Sequence, residues 1–60
     1  MANFQVNFYD ENLGEQSADF DKIWDAIDYW NEYADVSSCL AGQMIDLRDN
    51  EIIVDFDVRK

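Results

Sequence analysis

The chain has 60 residues, of which 48% are hydrophobic and 15% aromatic, and its formal net charge is −10. A chain of this length forms one domain at most, so residues 1–60 are treated as a single domain with a small core. The hydrophobic content excludes a disordered chain. The negative charge opposes binding to nucleic acid or to anionic membranes, and it favours a basic protein as partner.

Three further features indicate where the protein works. The single cysteine, Cys39, cannot form an internal disulfide, which fits a reducing compartment. The first twelve residues contain no basic region followed by an apolar run, so we expect no signal peptide. No apolar stretch approaches the ~20 residues that a membrane-spanning helix needs. We therefore expect a cytoplasmic protein.

The first half of the chain predicts a strand, a loop and a helix. Residues 3–9 alternate between apolar and polar side chains, which is typical of a half-buried strand. Residues 10–17 are polar and are interpreted as a loop. Ser17 is the expected N-cap of a helix that ends between residues 33 and 38. Apolar residues at intervals of three and four predict its buried side, formed by Phe20, Ile23, Trp24, Ile27, Trp30 and Ala34.

The second half predicts a β-hairpin. Residues 43–48 and 51–58 flank Asp49-Asn50, a pair that suits a two-residue turn. In that register one sheet face is apolar, with Ile45, Leu47, Ile52, Val54 and Phe56. The opposite face carries Met44, Asp46, Arg48, Glu51, Ile53, Asp55 and Asp57.

These elements predict an α+β fold of the form β-α-β-β. The expected sheet has three antiparallel strands in the order 1-3-2, with the helix packed on one face. The last strand is the most apolar, so it is placed in the middle. The connection through the helix would then be a right-handed crossover that skips one strand.

The outer side of the predicted helix carries a row of acids, which we call the acidic row: Asp21, Asp25, Asp28, Glu32 and Asp35. Their spacings of 4, 3, 4 and 3 follow the helical repeat. A solvated face is the ordinary explanation of a charged helix surface, but solvated faces usually mix signs. Here every neighbouring pair is a like-charge pair, and four such pairs cost roughly 1–2 kcal/mol in total. This cost suggests that a positively charged partner fits against the row.

A row of this kind resembles the phosphate backbone of DNA, which carries one charge per ~3.4 Å on each strand. We therefore interpret the acidic row as a mimic of nucleic-acid charge. Tyr29 and Tyr33 flank it and could contact a partner, since tyrosine is enriched at interfaces. The alternative for both tyrosines is partial burial at the edge of the core. A secondary acidic face is expected from Asp46, Asp55 and Asp57, with Ile53 among them.

In size, charge and predicted pattern of helix and sheet, the chain resembles small phage-encoded inhibitors of bacterial defence, the anti-restriction and anti-CRISPR proteins. The resemblance rests on the acidic row and on the dispersed acids. It implies a stoichiometric blocker of a Cas effector, a restriction enzyme or a nuclease, acting in the cytoplasm of an infected bacterium. The alternative is an acidic adaptor or antitoxin-like module that neutralises a basic partner without imitating DNA.

Catalysis and cofactor binding are not expected. The sequence has no histidine, which removes the commonest general base and metal ligand. Cys39 is interpreted as a structural thiol. The acidic stretch 10–21 departs from a calcium-binding loop, because its glycine comes at the fifth position and its last ligand is an aspartate. The exposed sheet face, with Met44 and Ile53, or an edge strand could instead pair with a second copy of the chain.

Overall fold

The chain folds into a four-stranded antiparallel sheet with a helical segment packed across one face. The computed structural model describes residues 2–59. The strands lie side by side in the order β2-β1-β3-β4, so the predicted three-stranded sheet of order 1-3-2 is wrong. The elements are β1 (Phe4–Asp10), β2 (Gly14–Phe20), α1 (Ile23–Tyr29), a π-helical segment (Trp30–Ala34), β3 (Cys39–Asp46) and β4 (Glu51–Asp57).

Strand β2 covers residues predicted to be a loop and the start of a helix. It pairs with β1 through a three-residue turn in which Asp10 faces Gly14, and Gly14 has a φ of 77° that glycine adopts without strain. The Asp10 carboxylate accepts the N–H groups of Asn12 and Leu13 at 2.8 and 3.2 Å. Ser17 is therefore a strand residue and not an N-cap. Because β2 is an edge strand with one face open, its residues can be polar, and the hydrophobic pattern does not reveal it.

The helical segment connects β2 to β3, and β1 lies between these two strands. The crossover therefore skips β1, whereas the predicted crossover left the first strand and skipped the last one. Val6 of β1 pairs with Ala18 on one side and with Met44 on the other. The last strand, β4, lies at the edge and not in the middle. The central position of β1 explains why Phe4, Val6 and Phe8 are almost completely buried.

The helix begins at Ile23 and changes from α to π geometry at Trp30. The Trp30 N–H donates to the carbonyls of both Ala26 and Ile27, and the Asp35 N–H reaches back five residues to the Trp30 carbonyl at 2.8 Å. The buried side of this segment is built on Ala26 and Ala34. Trp24, predicted to be buried, is 72% exposed, because the segment packs on the sheet through Ala26 and Ala34 and Trp24 lies outside that side.

The β3–β4 hairpin exists, but its predicted register is wrong. Asp46 faces Glu51 and Ile45 faces Ile52, so the turn spans the four residues 47–50. An irregularity next to Ile45 leaves Ile53 as the extra residue of a bulge, after which Met44 faces Val54. Because of this extra residue, Val54 and Phe56 share a sheet face with Met44 and Gly42, and not with Ile45 as in the predicted hairpin. Met44, predicted on the exposed face, points into the core and is 3% exposed, because it pairs with the buried Val6 of β1.

The core lies between the helical segment and one face of the sheet. Gly42 brings β3 close to the helix, since a Cβ there would lie 2.9 Å from Phe56 Cε1 and 3.1 Å from Trp30 Cη2. The rings of Trp30 and Phe56 meet edge to face at 5.8 Å. The buried side chains are those of Phe4, Val6, Phe8, Ala26, Ala34, Cys39 and Met44, with Phe20, Ile23, Ile27, Tyr29, Trp30 and Phe56 packed against them.

Candidate functional site

All five acids of the acidic row are exposed, but the helix itself carries only three of them. Asp25, Asp28 and Glu32 lie at helical spacings of three and four, on the side opposite the buried alanines. Asp21 lies two residues before α1, and Asp35 directly follows the π-helical segment. The row is thus a three-residue stretch on the helix with a further acid near each end.

Within residues 2–59, no basic side chain forms an ion pair with a member of the acidic row. The two ion pairs of this region are Arg48–Asp46 at 2.8 Å and Arg59–Asp57 at 3.1 Å. Lys22 is exposed and precedes the first helical residue without a side-chain capping bond. The negative charge on the helix is therefore not neutralised from within this part of the chain.

Both arginines are held by the same local motif, an aspartate two residues earlier at the end of a strand. Asp46 accepts the backbone N–H of Arg48 and two hydrogen bonds from its guanidinium, and the Arg48 guanidinium lies 5.1 Å from the centre of the Phe4 ring. The hydrogen bonds from Arg48 lower the pKa of the Asp46 carboxyl. Asp57 holds Arg59 in the same way. These pairs confine the positive charge of the two arginines to the strand ends.

Tyr29 and Tyr33 belong to an aromatic cluster over the β1–β2 side of the sheet. Tyr29 is half-buried against Phe8 and Phe20, with ring centres 5.9 and 5.2 Å away, and this burial raises the pKa of its hydroxyl. Tyr33 stacks on Phe8 at 6.2 Å and is 39% exposed. Tyr29 thus lies at the edge of the core, and Tyr33 covers Phe8 and is partly exposed.

The other face of the sheet, which the helix does not cover, is called the open face here. Residues that pair across neighbouring strands share a face, so Asp55 and Asp57 lie on the open face with Tyr9 of β1. Asp46 pairs with the buried Phe4 and lies on the helix side. The predicted secondary acidic face is therefore wrong in including Asp46.

Part of the open face is a shallow groove of about 490 Å³. Its polar floor includes Asn7 and Gln43, and its acids are Glu15, Asp55 and Asp57. Sequence reasoning missed Glu15, because it lies on the unrecognised strand β2. The outward position of Tyr9 was recognisable from the alternation in β1, and the repeated Asp-x-Arg motif could have indicated the position of Arg59.

The outer edge of β4 is apolar and exposed. Ile52, Ile53 and Val54 are 50%, 45% and 38% exposed. Ile53 is the extra residue of the bulge, and Ile52 and Val54 on either side of it pair with β3. An edge strand with neighbouring exposed apolar side chains is a potential pairing site for another chain.

Cys39 is the single cysteine of the chain. Cys39 is 4% exposed, and burial raises the pKa of its thiol above the ordinary value. Its Sγ donates to the Ala41 carbonyl at 3.2 Å. Among residues 2–59, no three acidic or cysteine side chains are grouped as metal ligands would be.

Comparison with known proteins does not assign the chain to a family. The chain matches no protein-family model, no curated protein and no solved structure at a significant level. No helix between residues 2 and 59 has the length and apolar character needed to cross a membrane.

Proposed function

We propose that the protein is a stoichiometric inhibitor that binds a basic nucleic-acid-binding protein by presenting a DNA-like acidic surface. The observation that carries the proposal is the row of Asp25, Asp28 and Glu32, which is exposed on one side of the helix and forms no ion pair with a basic side chain of residues 2–59. Unpaired like charges on a small domain are unfavourable unless a partner neutralises them.

The spacing of these carboxylates suits a surface that binds phosphates. Residues three or four apart on an α-helix rise ~4.5–6 Å along its axis, against ~3.4 Å between phosphates on one DNA strand. A groove lined with lysine and arginine could accept either kind of charge row. Binding would release counterions and weaken as salt concentration rises, as DNA binding does.

The target class follows from the same chemistry. A Cas effector, a restriction enzyme or another nuclease has a basic channel for nucleic acid, and a blocker of that channel would act without binding nucleic acid itself. If the protein is phage-encoded, its place of action is the cytoplasm of the host bacterium. It would use no cofactor and carry out no reaction.

A second candidate function is an acidic adaptor or antitoxin-like module. The observation that favours it is the distribution of charge on both faces, since Asp55 and Asp57 lie on the open face, opposite the helix. A surface that is negative on two sides could neutralise a basic partner without copying the shape of a nucleic acid.

Competition separates the two functions. The target would be captured from bacterial lysate at low salt and identified, and its own DNA or RNA substrate would then be titrated into the purified complex. A mimic and the nucleic acid must exclude each other, so the nucleic acid should release the protein and the protein should block substrate binding. Simultaneous binding of both would contradict mimicry and support the adaptor.

A further inference from the structure

We infer that the outer edge of β4 binds an extended segment of a partner protein, with alternating basic and apolar residues, by β-strand addition. This surface is separate from the acidic row. The inference therefore goes beyond the proposed function and can fail or hold independently of it.

The backbone of β4 offers hydrogen-bonding groups on its outer side. The Val58 N–H donates to the Leu40 carbonyl at 2.9 Å, in register with the pairing of Phe56 and Gly42. In an antiparallel pair only alternate residues turn their N–H and C=O toward the neighbouring strand. Asp55 lies between two such residues, so its backbone groups point outward. No strand from residues 2–59 lies on that side of β4.

The side chains along this edge define the chemistry of the partner. Asp55 lies on the open face, whereas Val54 lies on the helix side and is 38% exposed. An added strand places its own side chains alternately on the same two faces. Those on the open face would meet the carboxylate of Asp55, and those on the helix side would meet an apolar surface. A strand with alternating basic and apolar residues is complementary to both surfaces.

The open face next to β4 already holds one guanidinium, that of Arg59. Its Nε and Nη2 atoms each lie 3.1 Å from an oxygen of Asp57, and its Cζ lies 5.0 Å from the centre of the Tyr9 ring. Bidentate pairing and stacking on an aromatic ring are the contacts that arginine makes well and lysine does not. Arginine is therefore the preferred basic residue of the partner strand.

A second copy of the chain fits this edge poorly. If two β4 strands pair antiparallel with their outward-facing residues after the bulge opposed, the two possible registers place Asp55 opposite Asp55 or Asp57 of the second copy. Each register thus opposes two carboxylates, which is destabilising. Charge complementarity selects a basic partner strand over self-pairing.

The test uses a synthetic six-residue peptide of alternating arginine and valine, followed by NMR titration of the protein. In the antiparallel arrangement the residue opposite Asp55 shares its face, so the arginine N–H groups point at β4. A peptide methylated on the arginine backbone nitrogens should bind about tenfold more weakly, as expected from the loss of two or more ordinary hydrogen bonds. A peptide methylated on the valine nitrogens keeps the same charge and should bind like the parent.

Protein variants provide the second readout. The parent peptide should slow hydrogen exchange at the Asp55 amide, and D55N should weaken binding severalfold. The triple variant D25N/D28N/E32Q should bind the peptide as the wild type does, since it alters only the acidic row. Equal affinity for the two methylated peptides, or shifts confined to helix amides, would overturn the inference. So would a dimer through β4 that the peptide does not dissociate.

Discussion

At the residue scale, the Asp10 side chain links separate parts of the chain at one end of the sheet. Its carboxylate is buried at 4% exposure, accepts two backbone N–H groups of the β1–β2 turn, and accepts the Ser38 hydroxyl at 2.6 Å. Ser38 lies just before β3, so the Asp10 side chain links the first hairpin to the segment that follows the helix by hydrogen bonds. The hydrogen bond from Ser38 is the main reason that the pKa of Asp10 lies below its ordinary value.

Replacement of this carboxylate should lower stability. D10N removes the charge and one acceptor oxygen, so the urea midpoint should fall, and D10A should lower it further. Because the pKa of Asp10 is depressed in the folded state, its contribution is present at neutral pH and is lost as pH falls below about 4. The variants should therefore differ most from the wild type at pH 7 and least near pH 2.

A matched control is D49N. Asp49 also accepts a backbone N–H in a hairpin turn, that of Glu51 at 3.2 Å, but it is exposed. Its replacement should leave the urea midpoint close to the wild-type value. Equal midpoints for D10N and D49N at pH 7 would contradict the role assigned to Asp10.

At the element scale, the helix has two tryptophans with very different roles. Trp30 begins the π-helical segment and packs against Gly42 and Phe56, whereas Trp24 is 72% exposed. The helical spacing of apolar residues predicts that both tryptophans lie in the core, since both fall on the apolar side of the predicted helix. The packing of the helical segment on the sheet through Ala26 and Ala34 decides which of them faces the sheet.

Alanine substitutions should separate these roles. W30A removes a large ring from the core and should lower the free energy of unfolding by roughly 2–4 kcal/mol. W24A should change it by less than about 0.5 kcal/mol, as expected for an exposed position. Urea denaturation followed by circular dichroism measures both. A larger loss for W24A than for W30A would show that the helix is rotated relative to this structure.

The same elements show what the sequence could and could not predict. Strand β1 was predictable because Phe4, Val6 and Phe8 alternate along a strand that is covered on one face. The exposure of Asp25, Asp28 and Glu32 could also be predicted, from their helical spacing. Strand β2 could not be predicted, because an edge strand with polar side chains lacks a hydrophobic pattern. The open-face groove depends on β2 and on the bulge at Ile53, so it was not predictable either.

At the scale of the whole molecule, electrostatic repulsion opposes folding. The net charge is −10, and the molecule measures 29 × 20 × 15 Å. At 0.01 M salt the Debye length is ~30 Å, so charges repel across the entire domain, whereas at 0.1 M it is ~10 Å. Folding concentrates these charges in a small volume, and a basic partner would relieve the repulsion.

Added salt should therefore stabilise the isolated protein. The melting temperature should rise between about 0.01 and 0.1 M sodium chloride, and D25N/D28N/E32Q should show a smaller rise. Thermal unfolding followed by circular dichroism measures both. A melting temperature that falls with salt would mean that favourable ion pairs outweigh the repulsion.

The central claim is that the acidic row contacts a basic partner. The most direct measurement is the affinity of D25N/D28N/E32Q for the captured target as a function of salt, with E11Q/D19N/D49N as a control that removes three exposed acids elsewhere. The row variant should bind roughly tenfold more weakly and depend less steeply on salt, because fewer charges are neutralised in the complex. The control should stay near the wild type. Equal affinities and salt slopes for the two variants would contradict the claim, since total charge and not the row would then determine binding.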